Sequence, residues 1–112
     1  MFKYGLDHLT VSQALSILKG DLKAGISNEA KEKINHSHEI VIKTALKDKA
    51  VYGINTGFGP LCDTIISKKD TGELQRKILL SHSVGVGSAI DKDIAKLMMI
   101  LKIHSLARGY SG

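Results

Sequence analysis

Tyr52 begins the run Tyr52, Gly53, Ile54, Asn55, Thr56, Gly57, Phe58, Gly59, which places one phenol on a short apolar segment leading into a glycine-rich loop. A phenol can give or take a proton. Glycines at 53, 57 and 59 relax the backbone where β-branched residues would stiffen it, so a lid carrying Tyr52 toward a ligand is one reading. The same residues also compose a strand followed by a tight turn with Pro60 at its exit. The second group able to do chemistry is His82, whose helical segment ends at once in Val84, Gly85, Val86, Gly87. It reads either as a core histidine or as a ligand-facing one. The choice for both depends on whether they belong to one constellation.

Other motifs carry less. The fragments Gly57 to Gly59 and Gly85 to Gly87 lack the third glycine and the strand-turn-helix setting of a dinucleotide site, so no nucleotide cofactor is expected. His36 and His38 are two apart on a helix and point to different faces, which excludes the paired ligation open to residues four apart. No metal site is expected. His36 reads as solvated, His38 as a boundary residue on a buried stripe, and His104 as a satisfied core or interface histidine. Ser111, in Gly-Tyr-Ser-Gly, lacks the spacing of a nucleophile elbow. The single cysteine, Cys62, excludes an internal disulfide and suits a reducing compartment. Asn35, His36, Ser37 forms a glycosylation sequon without an export signal to use it.

The elements that must position Tyr52 and His82 follow from periodicity. Phe2, Tyr4 and Leu6 alternate as a short strand. Thr10 and Gln13 have capping-box spacing, and Val11, Ala14, Leu15 and Leu18 stripe a helix stopped by Gly20. Ser27 caps a helix of about five turns striped by Ile34, His38, Val41 and Ala45, ending near Lys47 to Lys49. Asp70 and Glu73 repeat the capping signature for a helix running toward Gly85, with Leu74, Ile78 and Ser81 on one strip and Gln75, Leu79, His82 and Val86 on the next. Asp91 starts the last helix, apolar nearly all round from Ile94 to Ala107. The expected fold is therefore mainly α, about four helices with short β segments near residues 2–6 and 50–54.

The chain has 112 residues, 43% hydrophobic and 24% charged, with net charge +5. Those proportions suit one soluble domain, and no stretch suggests a membrane span. The basic residues are mostly scattered lysines, with Arg76 and Arg108 the two arginines, so nucleic acid is not an expected partner. The N-terminus has no secretory pattern, which makes the cytoplasm the expected location. A domain of this size cannot bury an all-round apolar helix on every side. Residues 1–112 are thus expected to form one N-terminal segment of a longer polypeptide, or to need other chains.

The blocks Tyr52 to Gly59, Leu74-Gln75, Leu79 to Gly87, Leu97 to Ile103 and Ser105 to Gly112, in that order and spacing, closely resemble the N-terminal part of the histidine ammonia-lyases, within the aromatic amino acid lyases. The likeness is weak before position 50 and strong after it. It implies an ammonia-lyase-type helical fold and non-oxidative deamination of L-histidine to urocanate and ammonia. It implies the electrophile 4-methylideneimidazol-5-one, made from an internal Ala-Ser-Gly, and assembly as a homotetramer. By resemblance Tyr52 is the lid tyrosine, base or proton shuttle for the β-proton, His82 faces the substrate side chain, and the lid loop spans about residues 52–69. The Ser81-His82 pair favours histidine over the phenylalanine and tyrosine lyases or aminomutases, the alternatives within the family. A non-catalytic helical assembly module is the alternative outside it. The Ala-Ser-Gly is absent from these residues, so the segment alone is expected to be inactive.

Overall fold

The structure is a computed structural model that describes residues 1–47, 49–57, 66–67 and 70–111. These residues form two compact units: Met1–His38 with Ser88–Gly112, and Glu39–Gly87.

The first unit contains α1 (Val11–Lys19), a two-stranded sheet of β1 (Phe2–Lys3) and β2 (Ala24–Gly25), the first turns of α2 (Asn28–Ala45), and the last helix (Lys92–Leu106). The strands run parallel with Phe2 opposite Ala24, and Phe2 N and Tyr4 N donate to Lys23 O and Gly25 O. The strand expected over 2–6 is shorter because the chain turns at Lys3, whose carbonyl accepts from Leu6 N and Asp7 N. Its partner at 24–25 has no alternation to announce it, since Ala-Gly carries almost no side chain.

Helix α1 begins and ends as its sequence dictates. Thr10 Oγ1 accepts from Gln13 N at 3.3 Å while Gln13 Oε1 accepts from Thr10 N at 3.0 Å. Gly20 closes it in the left-handed region, φ 86°, where a side chain would be strained. Ser27 Oγ accepts from Ala30 N at the start of α2. The stripe on α2 is Ala30, Ile34 and Val41, with His38 exposed rather than buried. His38 carries a ring that needs partners if buried, and Ser37 beside it takes the half-buried position.

Phe2, Tyr4, Ile100 and Ala107 form the core, with Leu9, Ile17, Leu18, Leu22, Ala24 and Ile34 against it. His104 is buried among these apolar groups, as the sequence suggests, and its Nδ1 accepts from Gly5 N at 3.2 Å. Its ring lies 5.6 Å from Phe2 and 6.4 Å from Tyr4. Gly5, at φ 82°, approaches so closely that a β-carbon there would stand 2.1 Å from Ala107 O. The backbone turn after β1 is thus pressed onto the end of the last helix, and only glycine fits.

The second unit contains the end of α2, a turn over residues 52–55, and α3 (Thr71–His82). The β segment expected near 50–54 is this turn, closed by Ile54 N and Asn55 N donating to Val51 O, with Thr56 as a single bridge residue. Asp70 precedes α3 but makes no capping bond. Its carboxylate accepts from Ser67 Oγ instead. The last helix, here α4, is capped as expected by Asp91 Oδ1, which accepts from Asp93 N at 2.8 Å. Of its side chains only Ile100 and His104 are buried, and Ile94, Met98, Met99 and Leu101 are each more than half exposed. Ion pairs such as Glu29–Lys33 lie four apart on exposed helix faces and add little. No helix among the described residues is long and apolar enough to cross a membrane.

Burial first, and then the nearby Arg108 charge, hold the His104 imidazole below the usual histidine pKa. Between that lowered value and about 6.5 the unfolded chain binds a proton that the native state refuses, so stability is full above about 6.5 and is lost as pH falls. His104→Asn places a non-titrating acceptor at the Nδ1 position. Urea unfolding followed from pH 7.5 to 5 should show a smaller loss of stability in His104→Asn than in the parent chain, and equal slopes would remove His104 as the cause.

Candidate functional site

The candidate site lies in the second unit, on the turn at Tyr52 and the end of α3. Tyr52 is 64% exposed. The residue after it, Gly53, has φ 73°, a conformation that lets the chain reverse directly behind the phenol. Beyond it the backbone is firmly held. Asn55 is 2% exposed and Thr56 is fully buried.

Asn55 is the centre of this anchorage. Its Oδ1 accepts from Val51 N at 2.7 Å, and its Nδ2 donates to Lys47 O at 3.2 Å and Lys49 O at 3.0 Å. One amide thus satisfies three main-chain groups on the approach to Tyr52. Thr56 Oγ1 accepts from Gly53 N and donates to Gly57 O. Asn55 O accepts from Ile66 N, which closes the far side of the loop. The residues that follow Tyr52 are therefore a fixed base. Phe58 and Gly59 of the expected lid, with Pro60 and Cys62, lie outside the described residues.

At the other element, His82 is the last residue of α3 and is exposed, as is Ser81. His82 Nδ1 stands 2.9 Å from Ile78 O and 3.0 Å from Ser81 Oγ, and Ser81 Oγ donates to the same carbonyl at 3.0 Å. A carbonyl can only accept, so in the neutral ring Nδ1 carries the proton and Nε2 carries the lone pair. The pair Ser81-His82 is thereby one hydrogen-bonded unit, with the helix end favouring the Nδ1–H form of the neutral ring. Nε2 can accept a hydrogen bond from a ligand.

Gln75 joins the two elements. Its Nε2 donates to Gly53 O at 3.2 Å, from a position 22 residues further along the chain. Gln75 precedes His82 by seven residues, about two helical turns, so both lie on one strip of α3 about 10 Å apart along the axis. The tyrosine turn is fastened at the start of the strip that ends at His82. The sequence places Gln75 on that strip but gives no sign of its partner.

Elsewhere the first unit holds an apolar groove of about 260 Å³ lined by Ile26, Ile34, Ile103, Leu106 and Ala107 among others. Neither Tyr52 nor His82 lines it. Among the described residues no group of three His, Cys, Asp or Glu side chains is placed to hold a metal ion.

Residues 9–112 match the sequence model of the family named Aromatic amino acid lyase. The chain belongs to the aromatic amino acid lyase family. It is 39% identical over 106 residues to the histidine ammonia-lyase of Caldanaerobacter subterraneus subsp. tengcongensis, covering 95% of this chain and 21% of that protein. With the histidine ammonia-lyase of Enterobacter sp. (strain 638) it shares 43% identity over 104 residues, 93% of this chain and 21% of the other. In structure it is similar to the tyrosine aminomutase of Streptomyces globisporus, with TM-score 0.81 and 28% identity over 92% of this chain and 20% of that one. The chain thus spans about a fifth of the length of the lyases it matches. The mainly helical fold of this lyase-family segment is the expected one, and the match includes both the Tyr52 turn and α3.

Removing the Asn55 amide leaves Lys47 O, Lys49 O and Val51 N without their partner. Asn55→Ala should therefore lower the unfolding free energy by about 2–4 kcal/mol. Denaturant unfolding of the two chains measures it, and a loss below about 0.5 kcal/mol would mean that solvent replaces the amide and that the turn is not built on it.

Proposed function

We propose that this chain is the N-terminal segment of a histidine ammonia-lyase, an enzyme that removes ammonia from L-histidine without oxidation and leaves urocanate. The observation that carries the reading is the Ser81-His82 unit at the end of α3, in which Nδ1 is engaged by Ile78 O and Ser81 Oγ and Nε2 is left to face a ligand. A substrate imidazole bearing an N–H is the complementary donor. A phenyl or phenol ring has no ring nitrogen to present there, so a site built this way discriminates strongly in favour of histidine. The identity to histidine ammonia-lyases, higher than that to the tyrosine aminomutase, supports the same choice.

Tyr52 takes the role of proton carrier at the substrate β-carbon. Its exposed phenol on an anchored turn suits a group that meets a ligand from one side. A β-proton next to an unactivated carbon is too weakly acidic for any side chain, so an electrophile must draw electrons from the substrate. In this reading that electrophile is 4-methylideneimidazol-5-one. The Ala-Ser-Gly from which it forms is not among the 112 residues, so the residues present fit roles around the group and not its formation. The segment without the rest of the enzyme is inactive. Loop residues 52–69 act as the lid loop, with Tyr52 on its anchored start, and the whole enzyme works as a cytoplasmic homotetramer, a state that would cover the exposed side chains of α4.

The aminomutase alternative differs in its product. A β-amino acid formed from histidine would favour it, whereas urocanate and ammonia support the lyase.

Two substitutions in a full-length lyase carrying these residues test the assignment. Tyr52→Phe should lower turnover by about 10²-fold or more, the scale of general acid–base catalysis, while the ultraviolet absorbance of the electrophile stays in place; near-normal turnover would remove Tyr52 from the reaction. His82→Leu should depress turnover of histidine far more than that of phenylalanine or tyrosine. An unchanged preference between these substrates would sink the selectivity role.

A further inference from the structure

The internal bonds of the tyrosine turn fix its shape. Val51 N, Lys47 O and Lys49 O are tied to Asn55, and Gly53 N to Thr56. All of these partners lie within residues 47–56, so they leave open how the turn is placed against the helix that carries His82. Gln75 supplies that placement. It holds the carbonyl of Gly53, the residue directly after Tyr52, and it stands on the His82 strip of α3.

From this arrangement we infer that Gln75 is a positioning residue for the reaction: its side-chain N–H fixes the Tyr52 turn along α3, so that phenol and imidazole are presented to one substrate at a set separation. The inference rests on the proposed lyase role of Tyr52 and His82. It differs from a structural role in what it predicts. Gly53 at φ 73° is bonded at both its N–H and its carbonyl, so losing the Gln75 bond frees the carbonyl side of the residue joined directly to Tyr52. The effect falls on the alignment of Tyr52 with the reacting carbon, which governs turnover. Recognition of the imidazole stays with His82, Ser81 and Ile78 O. Misalignment of a reacting group lowers the rate of the step without requiring weaker binding.

The experiment uses a full-length lyase carrying these residues, with its electrophile absorbance recorded for every variant. Gln75→Met keeps the length of the side chain and removes the donor. It should lower kcat for histidine about 3- to 10-fold, the worth of one exposed neutral hydrogen bond, with KM changed by less than about 2-fold. Gln75→Arg restores an N–H donor and should recover most of the loss. If Gln75→Met loses absorbance through misfolding, Gln75→Ala, which removes the donor without adding charge, reads the same quantity. An unchanged kcat, a matching rise in KM, or a loss that arginine does not recover would each overturn the positioning role. Tyr52→Phe, measured beside them, separates the two levels of the reading. Near-normal turnover in that variant overturns both, whereas a collapsed Tyr52→Phe with an unaffected Gln75→Met overturns the Gln75 role alone.

Discussion

Asn55 meets a constraint that a short glycine-containing segment cannot meet with its own backbone: carbonyls and N–H groups partly withdrawn from water must have partners, and a turn cannot supply them as a helix or sheet does. Three main-chain groups between Lys47 and Val51 converge on one side-chain amide. An amide is the right choice, because it offers an acceptor and two donors within one planar group. Aspartate in its place would set a carboxylate against two carbonyls. Gly53 can then be used for reversal of the chain without making the described segment loose, and Tyr52 is exposed beside the buried Asn55 and Thr56. Flexibility of composition and rigidity of structure coexist in the same run.

The first unit solves the same problem with different chemistry. Gly5 N, in the turn after β1, has no strand neighbour, and the imidazole of His104 accepts from it. The ring is otherwise enclosed by Phe2 and Tyr4, so the bond is shielded from competing water and the neutral tautomer is the one that fits. The close approach of Gly5 to Ala107 and of Gly109 to Lys33 shows why this end of the chain is sensitive to the smallest added side chain. Here backbone meets backbone, and no rotamer change can relieve a β-carbon inserted between them.

Helices were legible in the sequence wherever local chemistry alone defines them. The Thr10–Gln13 box, the Gly20 stop and the Asp91 cap are each decided within four residues, and each appears where the spacing places it. The family resemblance, strongest from Tyr52 onward, agrees with the match over residues 9–112. What escaped the sequence depends on distant partners. The Ala24–Gly25 strand exists because Phe2–Lys3 pairs with it. Asp70 has the right spacing for a cap, but Ser67 competes for its carboxylate. The segment near residues 50–54 reads as a strand from its apolar residues and becomes a turn because Asn55 folds back onto Val51. Gln75 resembles any exposed helix glutamine until the position of Gly53 is known.

The exposed side chains of α4 and the incompleteness of the site share one cause in the proposed reading. A helix carrying Ile94, Met98, Met99, Leu101 and Leu106 about half exposed leaves the corresponding apolar area in water, and burying the remainder of each such side chain would return roughly 1 kcal/mol. A chain spanning about a fifth of its lyase relatives has neither the surface to cover that helix nor the residues to form an electrophile. In that reading Tyr52 and His82 are placed differently from α4. Each is held by its own element before any partner arrives, the tyrosine by the Asn55 base and the histidine by Ser81 and Ile78 O. In the proposed reading, local anchorage of this kind keeps the orientation of the two groups already present, so the rest of a lyase chain would supply the electrophile without also having to order Tyr52 and His82.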